Sequence, residues 1–290
     1  MRRICYYHAG CPDGFGAAWA VWRAWGREGR YLPRGHDDAL DAMSHQGDRV
    51  VFADIAPSPR QALELGEFAA CLVVLDHHLT ARDLFAREPS LIPSLSDRGH
   101  HVRFDLDHSG AVLAWQYFHP DEPVPPLLAY VEDQDLWSWE LPETEAVNAA
   151  IGSYPRDLET WDALARRPVE ELAAEGAPIL RAQRIEVERS LRFAHPVRVG
   201  ELRVEAVNAL QYRSHVGHEL AKRAAYGHPI GIAYRVFGTR VDVSIYSIGD
   251  VDVAGVAARF QGGGHRNASG FSVGLQQWLD RFVGRTGRGD

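Results

Sequence analysis

Histidine and aspartate side chains follow three short apolar segments in the first part of the chain. His8 follows the first segment, Asp54 the second, and the run Asp76-His77-His78 the third. Histidine nitrogens and carboxylate oxygens together suit Mn²⁺, Fe²⁺, Co²⁺ or Zn²⁺. A carboxylate that bridges two such ions would hold them roughly 3.5–4 Å apart, which suits an in-line displacement at phosphorus. These residues therefore predict a divalent metal site able to perform phosphoryl chemistry.

Further carboxylates accompany these groups. Asp13 lies in the turn after the first segment, and Asp133 and Asp135 follow another apolar segment. Each group alone has a simpler interpretation, since an aspartate after a strand, such as Asp54, is more often a helix N-cap. An Asp-His-His run can also arise by chance among 14 histidines. Four groups of the same chemistry are harder to explain by chance, so we interpret them as one site.

The elements that must position these groups are strands of a parallel sheet. The segments Ile4–Tyr7, Arg49–Ala53 and Cys71–Leu75 are apolar throughout, as in strands that are buried on both faces. Helical periodicity between them, for instance over Arg60–Phe68, predicts βαβ units. In such sheets ligands bind beyond the carboxyl ends of the strands, where the polar groups lie.

The rest of the chain predicts a helical connector and a second domain. Residues 156–194 have helical periodicity and no strand signal, whereas strands are predicted at 203–207, 230–236 and 240–245 with a helix at 215–225. The fold class is therefore α/β, with a parallel-sheet N-terminal domain joined by the connector to a smaller mixed α/β C-terminal domain. The predicted boundaries are 1–150 for the first domain, 151–197 for the connector, 198–284 for the second domain and 285–290 for a tail.

Composition limits the possible partners. The formal net charge is −8 and the basic residues alternate with acids, so the basic stripe of proteins that bind long nucleic acids is not expected. The three cysteines favour a reducing compartment. No apolar run is long enough to cross a membrane, and no signal peptide is evident, so the sequence predicts a cytoplasmic protein without a membrane partner. A small anionic ligand is the predicted partner, and the oligomeric state is left open.

Five motifs, in order along the chain, resemble those of the DHH phosphoesterases. The last resembles the glycine-histidine signature of the DHH-associated C-terminal domain, and the set most resembles the branch of short-oligonucleotide ribonucleases and cyclic-nucleotide phosphodiesterases. The motifs are His8–Ala18, Val51–Asp54, Asp76-His77-His78, Asp133–Trp137 and Gly262–Phe271.

The resemblance implies two divalent ions, usually Mn²⁺. Asp54 would bridge them, and Asp135 stays open as an alternative to Asp133. The implied ligands are His8 and Asp54 for one ion, and Asp13, Asp54, His77 and Asp133 for the other.

The resemblance also implies catalytic roles beside that of Asp54. His78 would face the scissile phosphate, and Asp76 would fix an imidazole tautomer. Cys11 stands where the family's first motif has an aspartate, and a thiolate is poorly suited to Mn²⁺. Either Cys11 binds a softer ion, or it does not bind and the first metal site is weaker; we favour the second interpretation.

The glycine-rich segment predicts substrate binding. Three glycines in a row can be a flexible loop, but they can also present backbone N–H groups to a phosphate. Tyr246 stands where relatives often place an arginine, so one phosphate contact is lost or replaced by base stacking. With the resemblance, the predicted substrate-binding residues are Gly263, Gly264, His265, Asn267, Ser269 and Tyr246.

The predicted function is metal-dependent hydrolysis of phosphodiester bonds in short oligonucleotides or small nucleotides, with two domains closing over the substrate. A cyclic-nucleotide phosphodiesterase and a nucleoside-bisphosphate phosphatase are alternatives that would use the same metals. A nucleotide-binding sensor with degraded catalysis is a third alternative, which Cys11 alone supports.

Overall fold

The computed structural model describes residues 1–35 and 38–284. The chain divides into two compact units, Met1–Leu180 and Arg181–Asp290, and each is described by itself. The domain boundaries drawn from the sequence at 150 and 198 stay predictions, and the predicted tail at 285–290 lies outside the described residues.

A parallel sheet forms the centre of the first unit. Its strand order is β2-β1-β3-β4-β5, and every neighbouring pair is parallel, as the continuous apolar segments predict. The strands are β1 (Arg3–His8), β2 (Gly29–Arg34), β3 (Arg49–Ala53), β4 (Cys71–Asp76) and β5 (His101–Phe104).

Helices cover both faces of this sheet and alternate with its strands. Two of them begin at clear caps: Ser58 accepts from the backbone N–H of Gln61 before α2, and Ser109 accepts from that of Val112 before α5. The helices are α1 (Pro12–Trp25), α2 (Pro59–Phe68), α3 (Leu79–Ala86), α4 (Leu91–Asp97), α5 (Gly110–Phe118), α6 (Pro126–Asp135), α7 (Thr144–Ser153) and α8 (Leu158–Leu164).

Alternate residues of the central strands enter two hydrophobic cores, which explains why these strands are apolar throughout. One core lies against α1 and α5 to α8, and the other against α2, α3 and α4. Residues Val51, Ala53, Val73 and Leu75 belong to the first core, and Val50, Phe52, Leu72 and Val74 belong to the second.

A long helix, α9 (Val169–Leu191), begins in the first unit and ends in the second. The second unit contains a mixed sheet in the order β10-β11-β9-β8-β7-β6, in which β7 and β8 are parallel and the other pairs antiparallel. Its strands are β6 (His195–Val199), β7 (Leu202–Asn208), β8 (Ile230–Phe237), β9 (Arg240–Ser247), β10 (Gly263–His265) and β11 (Ala268–Gly274).

The mixed sheet of the second unit also separates two hydrophobic cores. One contains Trp278 and Phe282, and the other contains Val216 and Leu220 of the helix that follows β7. The helices of this unit are α10 (Arg213–Arg223), α11 (Ala254–Ala258) and α12 (Leu275–Trp278), which continues as a π-helical turn over Leu279–Val283.

The fold class is thus α/β, with an all-parallel sheet in one unit and a mixed sheet in the other. Cys5, Cys11 and Cys71 are free thiols. Within the part of the chain that the structure describes, no helix is both long enough and apolar enough to cross a membrane.

Candidate metal centre

The polar groups converge where the order of the parallel strands reverses. The chain enters the sheet at β1, adds β2 on one side, and then returns to add β3 on the other side of β1. Ligands of open α/β sheets bind in the crevice beyond the carboxyl ends of the strands at such a switch point. His8 is the last residue of β1, Asp54 directly follows β3, and Asp76 is the last residue of β4.

Asp54 is the centre of the cluster. Its backbone has a φ of 60°, which is rare for a residue other than glycine and directs the chain out of β3. The carboxylate is buried, with Oδ1 at 3.0 Å from Nε2 of His77 and Oδ2 at 3.4 Å from Nδ1 of His8. Burial acts to raise the pKa of Asp54, but the hydrogen bonds with His77 and His8 hold it well below its usual value.

Asp13 lies in the first turn of α1 and is also buried. Its carboxylate accepts hydrogen bonds from the backbone N–H groups of Gly110 (2.7 Å) and Ala111 (3.0 Å), so the N-terminus of α5 orients it. Burial raises the pKa of Asp13 well above its usual value, and the negative charges of Asp54 and Asp135 add to that effect. A cation beside these three carboxylates would relieve the repulsion between them.

His77 joins three carboxylates. Its Nε2 lies 3.0 Å from an oxygen of Asp54 and 3.5 Å from oxygens of both Asp13 and Asp135. Burial acts to lower the pKa of His77, but the hydrogen bond with Asp54 and the charge of Asp13 raise it to about 10. One imidazole therefore contacts every carboxylate of this part of the cluster.

The structure brings Asp135, rather than Asp133, to the cluster. The Asp133 carboxylate is buried in α6 and accepts from the backbone N–H groups of Glu140 (2.8 Å) and Leu141 (3.3 Å) and from the hydroxyl of Thr144. Residues two apart on a helix do not face the same side, so only one of the two aspartates can point to His77. The geometry favours the alternative ligand, Asp135.

His78 and Asp76 form a buried pair beside Asp54. The Nδ1 atom of His78 lies 2.7 Å from Oδ1 of Asp76, which also accepts from the backbone N–H groups of His77 and His78. Burial acts to lower the pKa of His78, but the charge of Asp76 outweighs it and raises this pKa. Asp76 thus orients the His78 ring and places a proton on Nδ1.

The cluster has the donor set and spacing of a divalent metal site. Direct ligand bonds are roughly 2.0–2.2 Å long, so two ligand atoms of one ion lie close to each other. Among the described residues from 1 to 180, two groups have all their ligand atoms within 4.8 Å of one another: His8, Asp54 and His78, and Asp13, His77 and Asp135.

Cys11 adjoins the first of these groups. Its sulfur accepts from the backbone N–H of Gly14 at 3.2 Å and so caps α1. The same sulfur lies 3.4 Å from Oδ2 of Asp54 and 3.6 Å from Nδ1 of His8. Burial raises the pKa of the Cys11 thiol well above its usual value, and the charge of Asp54 raises it further. The direction of this shift favours the protonated thiol.

The predicted substrate-binding residues lie in the second unit. Gly263, Gly264 and His265 form the short strand β10, which pairs with β11 through Ala268 and Ser269. The hydroxyl of Ser269 donates to the carbonyl of His265 at 2.6 Å. A Cβ atom at Gly264 would lie 2.6 Å from the carbonyl oxygen of Ala268, so this close hairpin requires glycine.

Asn267 and Tyr246 have structural contacts of their own. The amide of Asn267 donates to the hydroxyl of Ser247 and the carbonyl of Gly249, both at 2.9 Å. The ring of Tyr246 packs against Gly217 of α10, where a Cβ atom would lie 2.1 Å from the ring. The substrate-binding roles of these residues stay predictions.

Comparisons with known proteins agree with the motifs. No family model matches the sequence. The chain is 27% identical over 294 residues to the uncharacterized protein R106 of Acanthamoeba polyphaga mimivirus, covering 93% of this chain and 67% of that protein. It is 24% identical over 251 residues to oligoribonuclease NrnB of Bacillus subtilis, covering 79% of this chain and 60% of that protein. The chain is thus similar to an oligoribonuclease, and five of its motifs resemble those of the DHH phosphoesterases.

A solved structure, the pGpG-specific phosphodiesterase PggH from Vibrio cholerae, aligns with this chain with a TM-score of 0.49 and 13% identity. The alignment covers 99% of this chain and 97% of that one. The matched part of this chain spans about two thirds of the length of R106 and less than that of NrnB.

Gly110 belongs to none of the DHH motifs noted in the sequence, yet it completes the centre. A Cβ atom there would lie 2.3 Å from Cβ of Asp54 and 2.7 Å from its Cα, so only glycine lets the N-terminus of α5 approach both Asp54 and Asp13. In the sequence this glycine directly follows Ser109, the cap of α5, and its role depends on a contact between distant segments.

Proposed function

We propose that this protein is a divalent-metal-dependent phosphodiesterase that hydrolyses short oligonucleotides or small nucleotides. The observation that carries the proposal is the convergence of carboxylates and imidazoles, most of them buried, around Asp54 at the switch point of the parallel sheet. This donor set suits Mn²⁺ and similar ions, and the similarity to an oligoribonuclease supports phosphoester chemistry.

In this proposal two ions, most favourably Mn²⁺, bind on either side of Asp54. When bound, they supply Lewis-acid activation of water and of the phosphate group. His8 and His78 would share one ion with Asp54, because their ligand atoms lie together. Asp13, His77 and Asp135 would hold the other, and the 3.0 Å contact between Asp54 and His77 supports a bridging role for Asp54.

The chain's own groups would orient these ligands. The backbone N–H groups of Gly110 and Ala111 fix both oxygens of Asp13, so its carboxylate enters the site without reorganisation. Asp76 holds the proton of His78 on Nδ1, which leaves Nε2 as the atom of that ring for an ion or for a phosphate oxygen.

The substrate class is supported by similarity and by charge. The similar protein NrnB is an oligoribonuclease. This similarity supports short ribonucleotides as the substrate class rather than other phosphodiesters. The net charge of −8 disfavours binding of long nucleic acid through its phosphates.

A substrate panel with Mn²⁺ tests the proposal. Ribonucleotides of two to five residues should be hydrolysed faster than cyclic AMP, adenosine 3′,5′-bisphosphate or long single-stranded DNA. Asp54→Asn should lower kcat/KM by more than about 100-fold, beyond the range that removal of an outer hydrogen-bond partner causes. Asp162→Asn is the control. It alters a buried aspartate of α8 that forms an ion pair with Arg23, and it should retain turnover.

The alternatives give different results in the same panel. Faster turnover of cyclic AMP or of the bisphosphate would show that the proposed substrate class is wrong, while the proposed metal chemistry would still stand. Dinucleotide binding without turnover in Mn²⁺, Co²⁺, Fe²⁺ or Zn²⁺ would indicate a sensor instead of an enzyme.

A further inference from the structure

Two tryptophans follow Asp135 in the segment after α6, and both have unusual backbones. The φ angles are 61° for Trp137 and 56° for Trp139. A bulky residue with positive φ is a genuine outlier, and each such residue costs about 1–3 kcal/mol. Strain of this kind persists where the surrounding structure enforces it, commonly at a functional site.

Neither tryptophan contributes to a hydrophobic core among the described residues of the first unit. Both are half-buried, and their rings contact each other edge to face with centroids 4.8 Å apart. By contrast, Trp22 is half-buried but packs against the first core, and five other tryptophans are at most 7% exposed: Trp19, Trp25, Trp115, Trp161 and Trp278. Stabilisation of the core therefore does not explain the pair.

Asp133 holds this segment in place. Its carbonyl accepts from the backbone N–H of Ser138 at 2.9 Å, and its carboxylate accepts from that of Glu140 at 2.8 Å and from the hydroxyl of Thr144. The carbonyl of Asp133 thus fixes the backbone before Trp139, and its carboxylate fixes the backbone after it. A fixed aromatic pair loses little conformational entropy when it binds a ligand.

The same segment reaches the candidate metal centre. Asp135, two residues before Trp137, contacts His77 at 3.5 Å. Two residues span at most roughly 7 Å of chain, so the tryptophan pair lies beside the place where a phosphodiester would be cleaved.

We infer that Trp137 and Trp139 form a stacking site for a nucleobase of the substrate. This inference rests on the proposed function and adds to it the group that the protein recognises beside the scissile phosphate. Stacking on an aromatic ring contributes about 1–3 kcal/mol per base and tolerates every base, because each base has a π face. Such a site binds short oligonucleotides without a basic stripe and without base specificity.

Abasic substrates test this inference with the full-length, Mn²⁺-loaded protein. Trp137→Ala should raise the KM for a diadenosine ribodinucleotide by about 5- to 150-fold, the range that corresponds to one stacked base. Its kcat should change by less than about threefold, because the metal centre is intact. The loss should disappear with the doubly abasic dinucleotide and with one of the two singly abasic ones, which identifies the stacked base.

Control variants separate stacking from folding. Trp22→Ala alters a half-buried tryptophan of α1 that packs against the first core, and it should leave KM unchanged for every substrate. Trp137→Phe should recover part of the affinity, since a phenyl ring still stacks. An equal KM increase on the doubly abasic substrate, or no increase on the diadenosine substrate, would overturn the inference.

A binding measurement distinguishes failure of this inference from failure of the proposed function. If the wild-type protein cleaves none of the dinucleotides, titration with the diadenosine dinucleotide should still quench tryptophan fluorescence. Loss of that quenching in Trp137→Phe combined with Trp139→Phe supports the stacking site, and unchanged quenching rejects it.

Discussion

Asp133 and Asp135 differ in what their carboxylates contact, although they are two residues apart on α6. Asp135 contacts His77, whereas the oxygens of Asp133 accept hydrogen bonds from the segment that follows the helix. We expect Asp135→Asn to lower the amount of bound Mn²⁺, because it removes a charged donor from the cluster. We expect Asp133→Asn to lower the melting temperature while metal content is retained, because it weakens hydrogen bonds to a buried charge, each worth about 1.5–3 kcal/mol.

Metal analysis by mass spectrometry after dialysis, together with thermal melts of both variants, checks this pair. Loss of metal in Asp133→Asn with normal metal in Asp135→Asn would restore Asp133 as the ligand and contradict the geometry.

Cys11 caps α1 through its sulfur, and burial raises the pKa of its thiol. Serine caps helices as well and is neutral, so Cys11→Ser should leave metal content and turnover nearly unchanged. Cys11→Asp should tighten Mn²⁺ binding, because it adds a hard anionic donor beside Asp54 and His8. Calorimetric titration of the metal-free variants with Mn²⁺ and Zn²⁺ measures both effects. An empty site in Cys11→Ser, with lost Zn²⁺ preference, would show instead that the sulfur is a ligand.

At the scale of elements, the approach of α5 to the end of β3 depends on one glycine. Gly110→Ala would place a methyl group against the backbone of Asp54 and push away the N–H groups that hold Asp13. We expect this variant to lose Mn²⁺ affinity by at least about tenfold, as when an outer partner of a metal ligand is removed.

Gly152 of α7 provides the matched control. It is exposed, and no atom lies within 4 Å of a Cβ placed there. Gly152→Ala should stabilise the protein by about 0.5–1 kcal/mol without changing Mn²⁺ binding, because alanine favours helix. Equal effects of both substitutions on Mn²⁺ binding, measured by titration, would show that contact with Asp54 is unimportant.

The central strands could be predicted from the sequence because burial on both faces makes them apolar throughout. The edge strand β2 could not, since it contains Arg30, Pro33 and Arg34 and pairs on one side with β1. From the sequence alone, strand β10 can be interpreted as a flexible loop, because two of its three residues are glycine. Strands such as β2 and β10 pair through backbone hydrogen bonds and lack an apolar side-chain pattern, so the sequence gives little sign of them.

Site residues at the ends of strands could be predicted from the sequence, whereas those on a helix were harder to predict. His8, Asp54 and His77 follow buried strands, so one rule about parallel sheets brings them together. Asp133 and Asp135 lie in the last turn of α6, where the direction of each side chain depends on the helix. The role of Gly110 depends on a contact between residues 56 positions apart, which no local pattern contains.

At the scale of the whole molecule, the net charge conceals an uneven distribution. Residues 181–290 carry 16 Lys and Arg against 10 Asp and Glu, whereas residues 1–180 carry 15 against 29. The acidic unit contains the carboxylates that suit cations, and the basic unit carries the predicted residues for an anionic substrate. The net charge of −8 alone does not reveal that the two units differ in the sign of their charge.

Each unit also encloses its own hydrophobic cores, which has a consequence for how the protein melts. Scanning calorimetry should resolve two heat-absorption peaks, because each unit has hydrophobic cores of its own. A ligand that binds only the native form stabilises it by about 2.7 kcal/mol at 100 times its Kd. Since the candidate ligands discussed above lie before residue 181, saturating Mn²⁺ should raise one peak by roughly 5–10 °C. A chelator should return that peak to its original temperature and leave the other where it was, and a single peak that shifts as a whole would contradict this.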